Sequence, residues 1–143
     1  MRGWSGRGRR GLLAAAVCLL LALFACGCFG KEGTEEKTED LEFTVVGDAE
    51  IPQELRGMIE EKKEEPFRLT YSSGGDLYIA SGYGKQESGG YSISVLECYL
   101  TENSIVVKTE LKGPQDGEQT GTQPSYPFLV IRTELIEKPV VFQ

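Results

Sequence analysis

The spacing of apolar positions changes character along the chain, and each change marks a boundary. Residues 11–26, "GLLAAAVCLLLALFAC", form an uncharged apolar run, and "GCFGKEGTEEKTED" (27–40) then offers almost nothing to bury. From Leu41 the apolar residues become periodic. "LEFTVVG" puts Leu41, Phe43 and Val45 on one side, the alternation of a short strand. "DAEIPQELRGMIEEKKEE" changes period: Leu55, Met58, Ile59 and Lys62 recur at spacings of three and four, Pro52 suits the first turn and acids crowd the start, which predicts an amphipathic helix. Gly57 weakens it by up to about 1 kcal/mol relative to alanine.

After Pro66 the pattern is β throughout. Phe67, Leu69 and Tyr71 alternate up to "SSGG"; Leu77 and Ile79 then alternate against Tyr78 and Ala80, a hairpin signal. In "YSISVLECYL" Tyr91, Ile93 and Val95 start inward, and the phase then shifts to Leu96, Cys98 and Leu100, so one extra residue near Val95 predicts a β-bulge. "NSIVVKTELKG" places Ile105, Val107 and Leu111 on one face with a mostly polar or charged face opposite. "YPFLVIRT" is apolar on both faces and belongs in the middle of a sheet, whereas "KPVVFQ", with Pro139 at its start, reads as an edge strand. Seven short strands and one helix predict a mainly β fold, a small antiparallel sandwich or barrel-like domain with one short helix against it, following a signal peptide and a flexible tether.

The N-terminal pattern has its own chemistry. "MRGWSGRGRR" carries four arginines and no acid ahead of the apolar run, the basic and apolar regions of an export signal, and the run falls short of the roughly 20 residues a membrane span needs. Leu23-Phe24-Ala25-Cys26 resembles the bacterial lipobox, which implies cleavage before Cys26 and fatty acylation of that cysteine, with Cys28 as a second candidate. The expected division is a lipoprotein signal peptide at 1–25, an acidic tether at 26–40 and a β-rich domain at 41–143. Each buried acyl CH₂ contributes about 0.8 kcal/mol, so two or three chains would hold the protein on the outer face of a bacterial cell membrane.

Charge narrows the partners. The chain holds 15 basic and 22 acidic residues; without residues 1–25 it has 11 and 22, a formal charge of −11. Such a surface repels nucleic acid, which is therefore not an expected partner. With no histidine, Ser-His-Asp and Cys-His catalysis and histidine metal sites are excluded. A four-cysteine zinc site is excluded too, because Cys18 lies in the signal and Cys26 is the expected acylation site. Cys98 reads as a buried free thiol in the alternation Leu96, Cys98, Leu100. Asp76, Glu87 and Glu97 lie near glycine turns, but nothing in their spacing makes a catalytic pair. The chain is expected not to be an enzyme, and no cofactor or metal is called for.

Two stretches remain that secondary structure does not absorb. "KQESGG" precedes the Tyr91 strand, and its Gly89-Gly90 pair is either a turn feeding that strand or a presented loop. "GPQDGEQTGTQPSYP" is a long hydrophilic loop. Loops on a rigid β scaffold often form a partner surface, which makes Ser88, Gly89, Gly90, Tyr91, Gln123 and Tyr126 the candidate partner-binding residues.

Gly89-Gly90-Tyr91-Ser92, then Gly113, Pro114 and Gly117, then Tyr126-Pro127-Phe128 resemble the C-terminal domain family of PrcB, a lipoprotein subunit of a bacterial surface protease complex, over roughly residues 50–142. Phe128 departs from the family's tyrosine, and "KQES" from its Lys-Pro-Thr. The resemblance implies a non-enzymatic accessory protein that binds and stabilises an exported partner, a protease complex among the options. A weaker likeness, aligned on Gly90-Tyr91, is to chagasin-type protease inhibitors, which would act through the loop from Ser88 to Tyr91; here the inhibitory proline and threonines are replaced by Glu87, Ser88 and Gly89. A third option is an envelope-polymer binding module using aromatic residues.

Overall fold

A computed structural model describes residues 36–143. The signal segment, Cys26, Cys28 and the tether up to residue 35 lie outside the described residues. In chain order the elements are β1 (Glu39–Asp40), β2 (Thr44–Val45), a 3-10 turn (Asp48–Glu50), α1 (Gln53–Lys62), β3 (Pro66–Ser73), β4 (Asp76–Tyr83), β5 (Ser92–Leu100), β6 (Ile105–Lys112), β7 (Phe128–Glu134) and β8 (Val140–Phe142). They build two four-stranded sheets, ordered β1-β5-β6-β8 and β2-β7-β4-β3. The result is a sandwich, not a closed barrel. Every pairing is antiparallel except the last, in which β8 runs parallel to β6 after the chain crosses from one sheet to the other.

Two apolar layers hold the domain. Between the sheets lie Leu41, Leu77, Ile79, Cys98, Leu100, Ile105, Val107 and Ile131. Between the second sheet and α1 lie Val46, Ile51, Leu55, Ile59, Phe67, Tyr78, Ala80 and Val130. Successive residues of a strand face opposite sides, so β4 sends Leu77 and Ile79 to one layer and Tyr78 and Ala80 to the other. β7 does the same with Ile131 and Val130. Both are interior strands, as the two-sided apolar pattern of "YPFLVIRT" requires.

The β3–β4 hairpin closes through Gly74-Gly75 with both φ positive, 60° and 84°. That is the type I′ geometry, whose twist matches its strands. The phase shift in β5 is a bulge between Val95 and Glu97. Leu96, expected inward, is the extra residue and is exposed; the bulge lets Val95 and Cys98 both reach the inter-sheet layer.

The first strand differs from expectation. Leu41 and Val46 are buried, but Phe43 and Val45 are 39% and 54% exposed. The cause is a change of sheet: Glu39 and Asp40 pair with β5, and Thr44 and Val45 with β7. The core therefore lies on different sides of the two halves, and simple alternation fails. Pairing also starts before Leu41, because Thr38 donates its backbone N–H to the Leu100 carbonyl at 2.8 Å.

α1 lies on the second sheet through Leu55 and Ile59, one turn apart and fully buried. Burying each contributes about 1.5–3 kcal/mol, which outweighs the cost of the exposed Gly57. Met58 is half-buried, and Lys62, expected on the same face, is exposed in the last turn.

Candidate functional site

The two loops singled out in the sequence meet at one end of the sandwich. Beyond β4, Gln86 donates its N–H to the Ser125 carbonyl at 2.8 Å, and Ser125 returns the bond to Gln86 at 3.0 Å, an isolated antiparallel bridge. The Ser125 hydroxyl donates to the Ser88 carbonyl at 2.6 Å, and the Gly89 N–H to the Thr120 carbonyl at 3.3 Å. Nearer the strands, Tyr83 donates its N–H to the Pro127 carbonyl at 3.1 Å. Residues 84–91 and 113–127 are thus sewn along their length into one surface.

Gly90 shows what the double glycine does. Its φ is +87°, and a Cβ there would stand 2.6 Å from Thr120 Cγ2 and 2.9 Å from Pro114 Cβ. Gly89 lacks the positive φ but sits against the Thr120 carbonyl. The pair therefore makes the turn into β5 and also lets the second loop pack against the first.

α1 supplies the third side. Past its C-terminus, the Glu64 carbonyl accepts the Lys85 N–H at 3.0 Å, and the Lys63 ammonium lies 5.1 Å from the Tyr126 ring centroid. A hydrogen bond from Lys63 to Glu60 at 2.9 Å, with Glu60's charge, raises the lysine above its ordinary pKa. It stays a cation over the Tyr126 face.

Of the candidate residues, Ser88, Gly89, Tyr91 and Tyr126 are half-buried within this network or beside it, while Gly90 and Gln123 are exposed. The Tyr91 ring lies against Gly113, at the start of the second loop. Gln86, Ser125, Thr120 and Lys63 were not foreseen. Gln86 and Ser125 are 39 positions apart in the chain, and no local pattern announces a pairing at that distance.

A second concavity, of about 840 Å³, lies at the opposite end of the sandwich, between the segment from Glu39 to Thr44 and Asp76, Arg132 and Glu134. Asp76 opens β4, whereas Glu87 lies beyond its far end, so the length of the eight-residue strand, about 25 Å, separates these carboxylates.

The family model described as PrcB C-terminal matches residues 77–134. This is the family that the motifs at 89–92 and 126–128 resemble, although the match is narrower than the 50–142 those motifs suggested. It runs from β4 to β7 and contains both loops, while α1, β3 and β8 lie outside it. No curated protein and no solved structure matches the chain.

Proposed function

We propose, from the PrcB C-terminal match over residues 77–134, that this chain is the accessory lipoprotein of an exported protein complex, a protease complex among the partners it fits, and that its joined loops grip the partner. The observation that carries the reading is the bridge between Gln86 and Ser125, because it turns two separate hydrophilic loops into one pre-formed surface within the matched span. Pre-organisation matters because ordering loops on binding costs affinity.

In this reading Cys26 carries the lipid and confines the domain to the outer face of the cell membrane, which raises its effective concentration toward a partner on the same surface. The mechanism is linkage. A protein that binds only the folded partner stabilises it by RT ln(1 + [L]/Kd), about 2.7 kcal/mol at a concentration one hundred times Kd. No bond is made or broken by this chain.

The test is a crosslinking pull-down from membranes of the native host with the intact protein and with Cys26→Ala. An exported protein recovered with the wild type, and degraded faster when the gene is deleted, supports the proposal. Tyr126→Ala and Gln123→Ala should weaken capture about 5- to 30-fold if these residues are contact hot spots. A captured protease whose activity falls as the protein is titrated in would instead indicate inhibition through Ser88 to Tyr91. Unchanged lifetimes and no captured partner would overturn the accessory role.

A further inference from the structure

β3 is the outer strand of its sheet, and among the described residues its far edge pairs with nothing. The hairpin turn decides which groups that edge offers. Ser73 and Asp76 close the turn as a hydrogen-bonded pair, so Tyr71 and Leu69 also exchange bonds with β4, while Arg68, Thr70 and Ser72 aim their N–H and C=O groups away from it. No backbone group from elsewhere in the described residues takes these up. The strand is eight residues long and keeps one register with β4 from end to end. Edges of that kind accept a further strand unless something blocks them.

The side chains beside the edge are equally specific. Arg68 faces Ser81 across the hairpin as a non-hydrogen-bonded pair, in which facing side chains come closest. The Arg68 guanidinium lies 5.4 Å from the Phe142 ring centroid, and among the described residues no carboxylate is within ion-pair reach of it. Ser81 is only 6% exposed, yet among the described residues no fully buried side-chain polar atom lacks a partner, so its hydroxyl is not left stranded. Both residues line a cavity of about 280 Å³ that Pro66 and Tyr83 close at one end. An exposed guanidinium with no carboxylate partner among the described residues is suited to a carboxylate brought in by a neighbouring strand.

We propose that the free edge of β3 takes up an extended segment of a partner protein, one of whose acidic side chains pairs with Arg68. Strand addition supplies backbone bonds at Arg68, Thr70 and Ser72, and the carboxylate sets the register, as pockets do in other strand-addition complexes. In a chain so rich in acid, an unpaired arginine at a bare edge selects a negatively charged partner residue over a positive one. The Arg68 end of the edge adjoins the joined loops through Pro66 and Tyr83, but it does not depend on the bridge between Gln86 and Ser125, so its failure would leave the accessory role standing.

The probe is a blocked heptapeptide of alternating threonine and valine with a central glutamate, set against its glutamine twin, binding the full-length protein in detergent micelles. The glutamate peptide should bind at least about fivefold tighter, in line with a charge-assisted contact, and should slow hydrogen exchange at Arg68, Thr70 and Ser72. Arg68→Gln should abolish the preference and Arg68→Lys should retain part of it; each variant is first matched to the wild type in melting temperature. Equal binding of the two peptides, a preference that survives Arg68→Gln, or binding without protection of the β3 amides would each overturn the proposal.

Discussion

Cys98 packs between the two sheets, and burial pushes its thiol from 9.0 up to about 11. Below about pH 9 the thiol is protonated in both folded and unfolded chains and has no effect on the balance. Between pH 9 and 11 only the unfolded chain ionises, so stability should fall as pH rises. Urea midpoints at pH 8 and 10.5 should diverge more for the wild type than for Cys98→Ala, and the native thiol should react with a disulfide reagent only as fast as the core opens. Burial of Cys98 was legible from Leu96-Glu97-Cys98-Tyr99-Leu100. The second role of Gly90 was not, because Thr120 and Pro114, which press on it, are far away in sequence. Gly90→Ala should cost about 1–3 kcal/mol through its φ and the clash with Thr120, and Gly89→Ala distinctly less, as measured by urea unfolding.

At the scale of elements, α1 depends on two residues and β5 on one irregularity. Ile59→Ala should destabilise the domain by about 2–5 kcal/mol, because it empties the layer between helix and sheet. Leu96→Ser should change stability by no more than about 0.5 kcal/mol despite the loss of a large apolar side chain, since the bulge already turns it to solvent. Thermal melts of the two variants side by side give the comparison. The helix, the hairpin and the bulge could be read from local periodicity because each is decided by neighbours within a few residues. The segment from Leu41 to Val46 could not. Its alternation is broken by a transfer between sheets, and only the assembled sandwich shows on which side each half is buried.

For the molecule as a whole, the last strand closes a sheet from outside. Ile105 donates its N–H to the Pro139 carbonyl at 2.8 Å and Gln143 donates to Val107 at 2.9 Å, so removing residues 139–143 would uncover the β6 edge and part of the inter-sheet layer. That truncation should cost about 2–4 kcal/mol, roughly 10–20 °C in melting temperature for a domain of this size, and should make the protein bind a hydrophobic dye. The edge position of this strand was foreseen; its parallel direction was not, since direction depends on where the preceding crossover lands. The sequence alone determined the β class, the single helix, the interior place of β7 and the two loops worth watching, because apolar period and turn residues act locally. Only tertiary structure decided that those loops meet through Gln86 and Ser125, that Arg68 lies over the Phe142 ring, and that among the described residues no strand pairs with the outer edge of β3. Each of these depends on which distant segments come into contact, and contact between distant segments is set by packing the two layers together rather than by any spacing along the chain.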